Sequence, residues 1–173
     1  RTLLPGINMM TVPMVLGMLF IMISNAFFYL CIGSGFLIYL LVRQVFTRPM
    51  NGRIQIFIGQ LFTGAGLMLL CNADTGEYLY GAGLLVGIGV GFSIGQFLRM
   101  MILLPLHCER GTGYHTYQLL WETGVMLGIW ISQYVRQAGN NNPYQVALGI
   151  CVIGFLLYQV YIHRYFTKHY QTN

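Results

Sequence analysis

Apolar runs of membrane-spanning length follow one another along this chain, six of them, separated only by short polar turns. About 20 predominantly apolar residues cross the hydrocarbon core of a bilayer as a helix. In that medium every backbone N–H and C=O must be satisfied within the protein, which a helix does by itself. The chain therefore reads as an all-α integral membrane protein, a single bundle of six transmembrane helices. Its spans lie at about 3–22, 26–46, 54–71, 78–104, 111–136 and 144–165. Pro13 predicts a kink inside the first span. Ser24-Asn25 is the first turn, Thr47 to Arg53 a polar loop, Asn72 to Glu77 an acidic loop, and Gly139 to Pro143 a strong turn signal.

Composition supports the same class. Hydrophobic residues make up 56% of the chain and charged residues 8%, against roughly 25% charged in a soluble domain. The mean hydropathy is +0.63. A net charge of +5 does not indicate nucleic acid here, because the basic residues lie between apolar spans, where topology accounts for them. Arg1, Arg43, Arg48, Arg53, Arg99, Arg110, Arg164 and Lys168 fall at or near one side of a six-span chain and Arg136 at the other. By the positive-inside rule both ends of the segment are expected in the cytoplasm, with the plasma (cytoplasmic) membrane as its location. The chain opens at Arg1, directly before a span, so a longer parent protein is expected. Cys31, Cys71, Cys108 and Cys151 show no C-x-x-C pairing. They read as free thiols, not as a disulfide or zinc framework.

The fifth span differs from the others because it carries a carboxylate, Glu122, near its middle. At about 100° per residue, His115, Gln118, Glu122, Met126 and Gln133 fall on one side. Gly113, Leu120, Gly124, Gly128 and Ile131 fall on the other. The glycine side lets a neighbouring helix approach closely. The polar side cannot rest against lipid, so it should line a wet cavity or meet another polar helix. An ionisable group at mid-membrane depth suggests a functional site, although a Glu held for packing by a buried partner has the same sequence.

Other candidates sit on other spans. Gly83, Gly87, Gly91 and Gly95 recur every fourth residue along one face of the fourth span, a small-residue row suited to close packing. Gly87-Ile88-Gly89 does not read as a phosphate loop, since no strand precedes it and it lies inside an apolar helix. Arg99 continues the row and either snorkels to the interface or joins a cavity with Gln96. Asn8 and Thr11 share a face of the first span, to line a pathway or to bond a neighbouring helix.

These features together resemble the C-terminal six-helix half of a major facilitator superfamily transporter, over essentially the whole chain. The stretch Arg48-Pro49-Met50-Asn51-Gly52-Arg53 looks like a degenerate copy of that family's D-R-x-G-R-R loop, in the place expected between the second and third helices of a half. It departs from the pattern in having no acidic residue before Arg48 and a longer spacing from Arg48 to Gly52. Glu109-Arg110-Gly111-Thr112 is similar to the opening of the family's eleventh helix. Tyr117 to Gly128, with Glu122, Gly124 and Gly128, is similar to the Y-x-x-x-x-D/E-x-G-x-x-x-G stretch of many efflux members. Here Ile129 stands where a Pro often follows the last glycine.

The resemblance implies half of a secondary active transporter, binding its substrate near mid-bilayer between two six-helix halves. The missing N-terminal half would come from the same chain or from a second copy. Proton-coupled efflux of a small organic solute or drug is the expected function, with Glu122 exchanging the proton and His115, Gln118 and Gln133 lining the route. Arg99, Gln96 and Asn8 are the further cavity candidates, and Arg48, Gly52 and Arg53 form the cytoplasmic loop. Symport of a small metabolite, or a non-transporting membrane subunit of the same fold, are the alternatives. The expected partners are the lipid bilayer, a small-molecule substrate and protons. No enzyme, cofactor or metal site is indicated: there is no G-x-S-x-G with a suitable His, no H-E-x-x-H and no aspartyl pair.

Overall fold

A computed structural model describes residues 3–45, 51–72, 76–104, 110–138 and 143–170. Among them the chain is helical throughout, with short turns. The helices are α1 (Leu3–Met9), α2 (Thr11–Met22), α3 (Ala26–Val45), α4 (Gly52–Asn72), α5 (Gly76–Leu103), α6 (Arg110–Gln137), α7 (Pro143–Leu157) and α8 (His163–Tyr170). A π-helical turn, Tyr158–Ile162, joins α7 to α8. Arg48, Cys108 and Glu109 lie outside the described residues.

Among the described residues, five stretches are long and apolar enough to cross a membrane: Leu3–Met22, Ala26–Val45, Gly52–Asn72, Tyr78–Leu103 and Pro143–Lys168. At 28 residues, α6 has ample length. It falls short on apolarity, because one of its sides is polar.

The first span is interrupted where Pro13 requires it. Proline has no N–H to give the carbonyl four residues back, and its ring crowds that carbonyl. That carbonyl belongs to Met9, and the α-helical run breaks at Met10, between α1 and α2. The neighbouring bonds survive: the Met10 amide donates to Gly6 O and the Met14 amide to Met10 O, both at 3.0 Å. At the other end, the Ile23 amide closes α2 on Leu19 O at 3.0 Å. The Tyr29 hydroxyl then donates to the Leu19 and Ile23 carbonyls at 2.9 and 2.5 Å. This pins the tight turn into α3.

The loop expected through Arg53 is shorter in the structure. Gly52 and Arg53 already form the first turn of α4, and the Gln55 amide donates to Asn51 O at 3.0 Å. At the far end of the chain, the π turn extends the last helix to Tyr170, beyond the expected limit at Tyr165.

Packing follows the glycines. In the absence of a hydrophobic drive between helices in lipid, close backbone contact supplies the association. On α5, a Cβ at Gly87 would collide with the Ile32 carbonyl of α3. One at Gly83 would lie 2.9 Å from Phe28 O, and one at Gly91 2.8 Å from the Tyr39 ring. Thus α5 sits between α3 and α4, and its other side closes on α4 through Gly89 and Thr63. On the opposite flank α6 lies along α2. Gly17 meets the Val125 backbone, Gly128 meets the Met14 carbonyl, and a Cβ at Gly124 would be 2.6 Å from Pro13 Cγ. Between the flanks runs one apolar core that includes Met18, Leu19, Phe28, Phe97, Met100 and Tyr158.

Candidate functional site: the open face of α6

The two sides of α6 have different fates. Gly113, Gly124, Gly128 and Ser132 are buried, whereas His115, Gln118, Glu122 and Gln133 are exposed. Large side chains stand beside the polar ones: Met126 is 71% exposed, Trp130 66% and Tyr134 66%. An imidazole, two amides, a carboxylate and aromatic rings therefore share a surface that no helix among the described residues covers. From His115 to Gln133 the stripe runs about 27 Å at 1.5 Å per residue, close to the thickness of the hydrocarbon core. Glu122 is the thirteenth residue of the 28 in α6, near the helix midpoint. Aromatic neighbours steady the helix at its start, where Tyr114 meets His115 edge-on (centroids 6.0 Å apart) and Tyr117 stacks with Trp121 at 6.4 Å.

The remaining cavity candidates are placed elsewhere. Asn8 is 1% exposed, and its Nδ2 donates to Gly154 O of α7 at 3.0 Å. Its Oδ1 is buried without a partner. The Thr11 hydroxyl donates to Asn8 O at 2.7 Å, and a Cβ at Gly154 would be 2.5 Å from Thr11 Oγ1. Asn8 and Thr11 thus belong to the contacts of α1 and α2 with α7, not to the α6 face. Gln96 is 3% exposed and packs over Gly52 at the start of α4, with Oε1 unpartnered. Arg99 is exposed one turn before the end of α5. The structure therefore assembles His115, Gln118, Glu122 and Gln133 on one face, and leaves Asn8 and Gln96 in the interior.

Two polar groupings escape the sequence reading, both at the end of the bundle that carries Arg43, Arg53 and Arg99. In the first, Gln55 Nε2 donates to Phe92 O at 3.1 Å and to the Tyr39 hydroxyl at 3.3 Å. Arg43 Nη1 donates to the same hydroxyl at 3.4 Å, tying α3, α4 and α5 together. In the second, Arg53 Nε donates to Gln159 Oε1 at 2.8 Å, joining α4 to the π turn. Gln159 Nε2 and His163 Nδ1 are buried there without partners. The π turn lies within this packing. Tyr158 is fully buried, edge-on to Phe97 at 5.8 Å, and the His163 amide reaches back to Tyr158 O, five residues away. Single π turns are frequent at functional positions. The one available sequence signal was Gln159 and His163, four apart in an otherwise apolar span.

No family model matches the chain. Over 84 residues, 47% of the chain, it is 37% identical to a probable quinate permease of Aspergillus fumigatus, covering 16% of that protein. Over 103 residues, 54% of the chain, it is 34% identical to a probable quinate permease of Aspergillus niger, covering 19%. Over 106 residues, 56% of the chain, it is 34% identical to the quinate permease of Emericella nidulans, covering 20%. The chain thus spans a fifth or less of the length of these curated relatives. No solved structure matches. Fold and relatives together define a class: a multi-pass, all-α membrane protein that resembles permeases over about half its length.

Proposed function

We infer that this chain is one half of a secondary active transporter of the major facilitator type, and that the open face of α6 lines its substrate pathway. One observation carries the reading. Glu122 stands mid-helix on an exposed polar stripe, while the glycines behind it are closed against α2. Such a stripe is too costly to leave against lipid, so a second six-helix half covers it and encloses a polar cavity. That half comes from the same polypeptide or from a second copy. Both ends of this segment lie in the cytoplasm, and the protein resides in the plasma membrane. Support for the topology comes from Arg43, Arg53 and Arg99 gathering at one end of the bundle, while Arg136 donates to Ile21 O at the other (3.5 Å).

Glu122 is the proton-coupling group, with His115, Gln118 and Gln133 bonding the substrate. The sign of coupling then follows the charge of the cargo. A cation competes with the proton for Glu122, which gives exchange and efflux. An anion beside Glu122 is repelled by the carboxylate and accepted by the protonated acid, so that proton and anion travel together. The partial relatives, named quinate permeases, favour the second case: symport of a small hydroxylated carboxylic acid. Efflux of an organic cation is the competing reading.

The test uses the full-length protein in vesicles, with quinate and a lipophilic cation offered separately. Substrate-driven proton movement should occur with one of them and vanish in Glu122→Gln, while substrate exchange at zero gradient persists. Wild-type coupling retained in Glu122→Gln would refute the role of that residue. No transport of either class by folded protein would refute the pathway.

A further inference from the structure

On the flank away from α6, the outer surface between α4 and α7 carries a groove. One part of about 270 Å³ is lined by Gln60, Leu61, Gly64, Cys151 and Val152, with Phe57 and Phe155 at its end. A second part of about 370 Å³ shares Phe57 and Phe155 and continues to Ile54, Arg53 and Gln159. The two rings meet at 5.6 Å and form a sill between the parts. Phe57, Leu61 and Val152 are 46%, 56% and 48% exposed, so the groove opens outward. From Arg53 to Gly64 it follows α4 for about 16 Å at 1.5 Å per residue. That is half of the roughly 30 Å hydrocarbon core, the depth of one leaflet.

The headgroup end has the opposite character. Arg53 is exposed and oriented by its Nε bond to Gln159. A guanidinium held at Nε still carries four N–H donors on its Nη atoms, in a geometry that suits phosphate oxygens. The first amides of α4, from Gly52 to Ile54, point to the same end and lack helical acceptors. We propose that this groove is a binding site for an anionic phospholipid. One acyl chain lies along Leu61, Gly64 and Val152, and the phosphate is held by Arg53. Charge and dimensions both select this occupant: a cation stands where a headgroup would be, and an apolar channel one leaflet deep begins beneath it.

Native mass spectrometry of the full-length protein in detergent, titrated with phosphatidylglycerol or phosphatidylcholine, tests the site. One surface cation changes anionic-lipid affinity about fivefold. Wild type should therefore retain phosphatidylglycerol at least about fivefold better than phosphatidylcholine, and Arg53→Gln should abolish that preference. Gly64→Phe should lower retention of both lipids by filling the channel. A Cβ at Gly64 meets nothing within 4 Å, so the side chain leaves the helix backbone without a clash. Equal retention of the two lipids by wild type, unchanged retention in both variants, or a second copy of the protein in place of lipid would each overturn the proposal.

Discussion

Along α6 the exposed side chains include His115, Gln118, Glu122 and Gln133, whereas along α4 and α7 they include Phe57, Leu61, Val152 and Leu156. Both surfaces are open in this chain, and both are backed by tight helix contacts. They differ in what can cover them. Lipid tails satisfy the α4–α7 surface at no cost in hydrogen bonds. They cannot satisfy the α6 stripe, whose amides, imidazole and carboxylate need water, protein or substrate. The bundle is therefore two-sided. Exposure alone would not reveal it, and average hydropathy only hints at it, by setting α6 apart from the five more apolar stretches.

The largest expected effect comes from the contacts that keep these sides apart. Gly128 of α6 lies against the Met14 carbonyl of α2, with no room for a side chain. Gly128→Leu must push two backbones apart, at a cost of about 3 kcal/mol, the upper end for overpacked sites. Gly33 of α3 is the matched control, because a Cβ there meets nothing within 4 Å. Gly33→Leu should lose no stability and gain at most about 1 kcal/mol, the cost of a glycine inside a helix. Thermal unfolding of the two variants in the same detergent measures the gap. Equal midpoints would mean that α2 and α6 are not held by backbone contact, and the distinction between the two sides would lose its basis.

A smaller effect separates interior polarity from surface polarity. Asn8 bonds Gly154 across 146 residues of sequence, deep in the α1–α7 contact. Asn8→Ala should cost about 0.6 kcal/mol, the average for a hydrogen bond between membrane helices, and should leave the choice of substrate unchanged. A change in substrate selectivity would move Asn8 from the packing group to the pathway.

How far this was readable beforehand depends on what kind of fact is asked for. Helical class follows from run length, as do the five stretches long and apolar enough to cross a membrane. The sidedness of α6 follows from a period of 3.6, which puts Glu122 and Gly124 about 200° apart. Periodicity says which residues of one helix share a face. It does not say which face of another helix they meet. Hence Asn8 reads in the sequence either as a pathway residue or as a bond to a neighbouring helix, and its burial and its bond to Gly154 assign it to the interior. Arg53 and Gln159 meet across 106 residues, a pairing that no local pattern encodes. The π turn is similar. Nothing in Tyr-Gln-Val-Tyr-Ile forbids an α-helix, and the extra residue is accommodated where Tyr158 seats against Phe97.

The smallest expected effect on stability is also the one that decides what the open face is for. Glu122→Gln keeps the shape of the side chain and removes its charge. If the stripe lines a wet pathway, Glu122 has water or substrate as its partner, and the amide should change the stability of the full-length protein by no more than about 0.5 kcal/mol. If Glu122 is instead a buried structural partner of a cation in the other half, breaking that pair leaves an uncompensated charge and costs about 3–5 kcal/mol. The two outcomes differ roughly tenfold in free energy, so unfolding of Glu122→Gln beside wild type separates them before any substrate is known. A near-zero change places Glu122 on a functional surface like the rest of its stripe. A large one makes α6 a packed helix on both sides, and the contrast with the lipid-facing flank becomes one of partner alone.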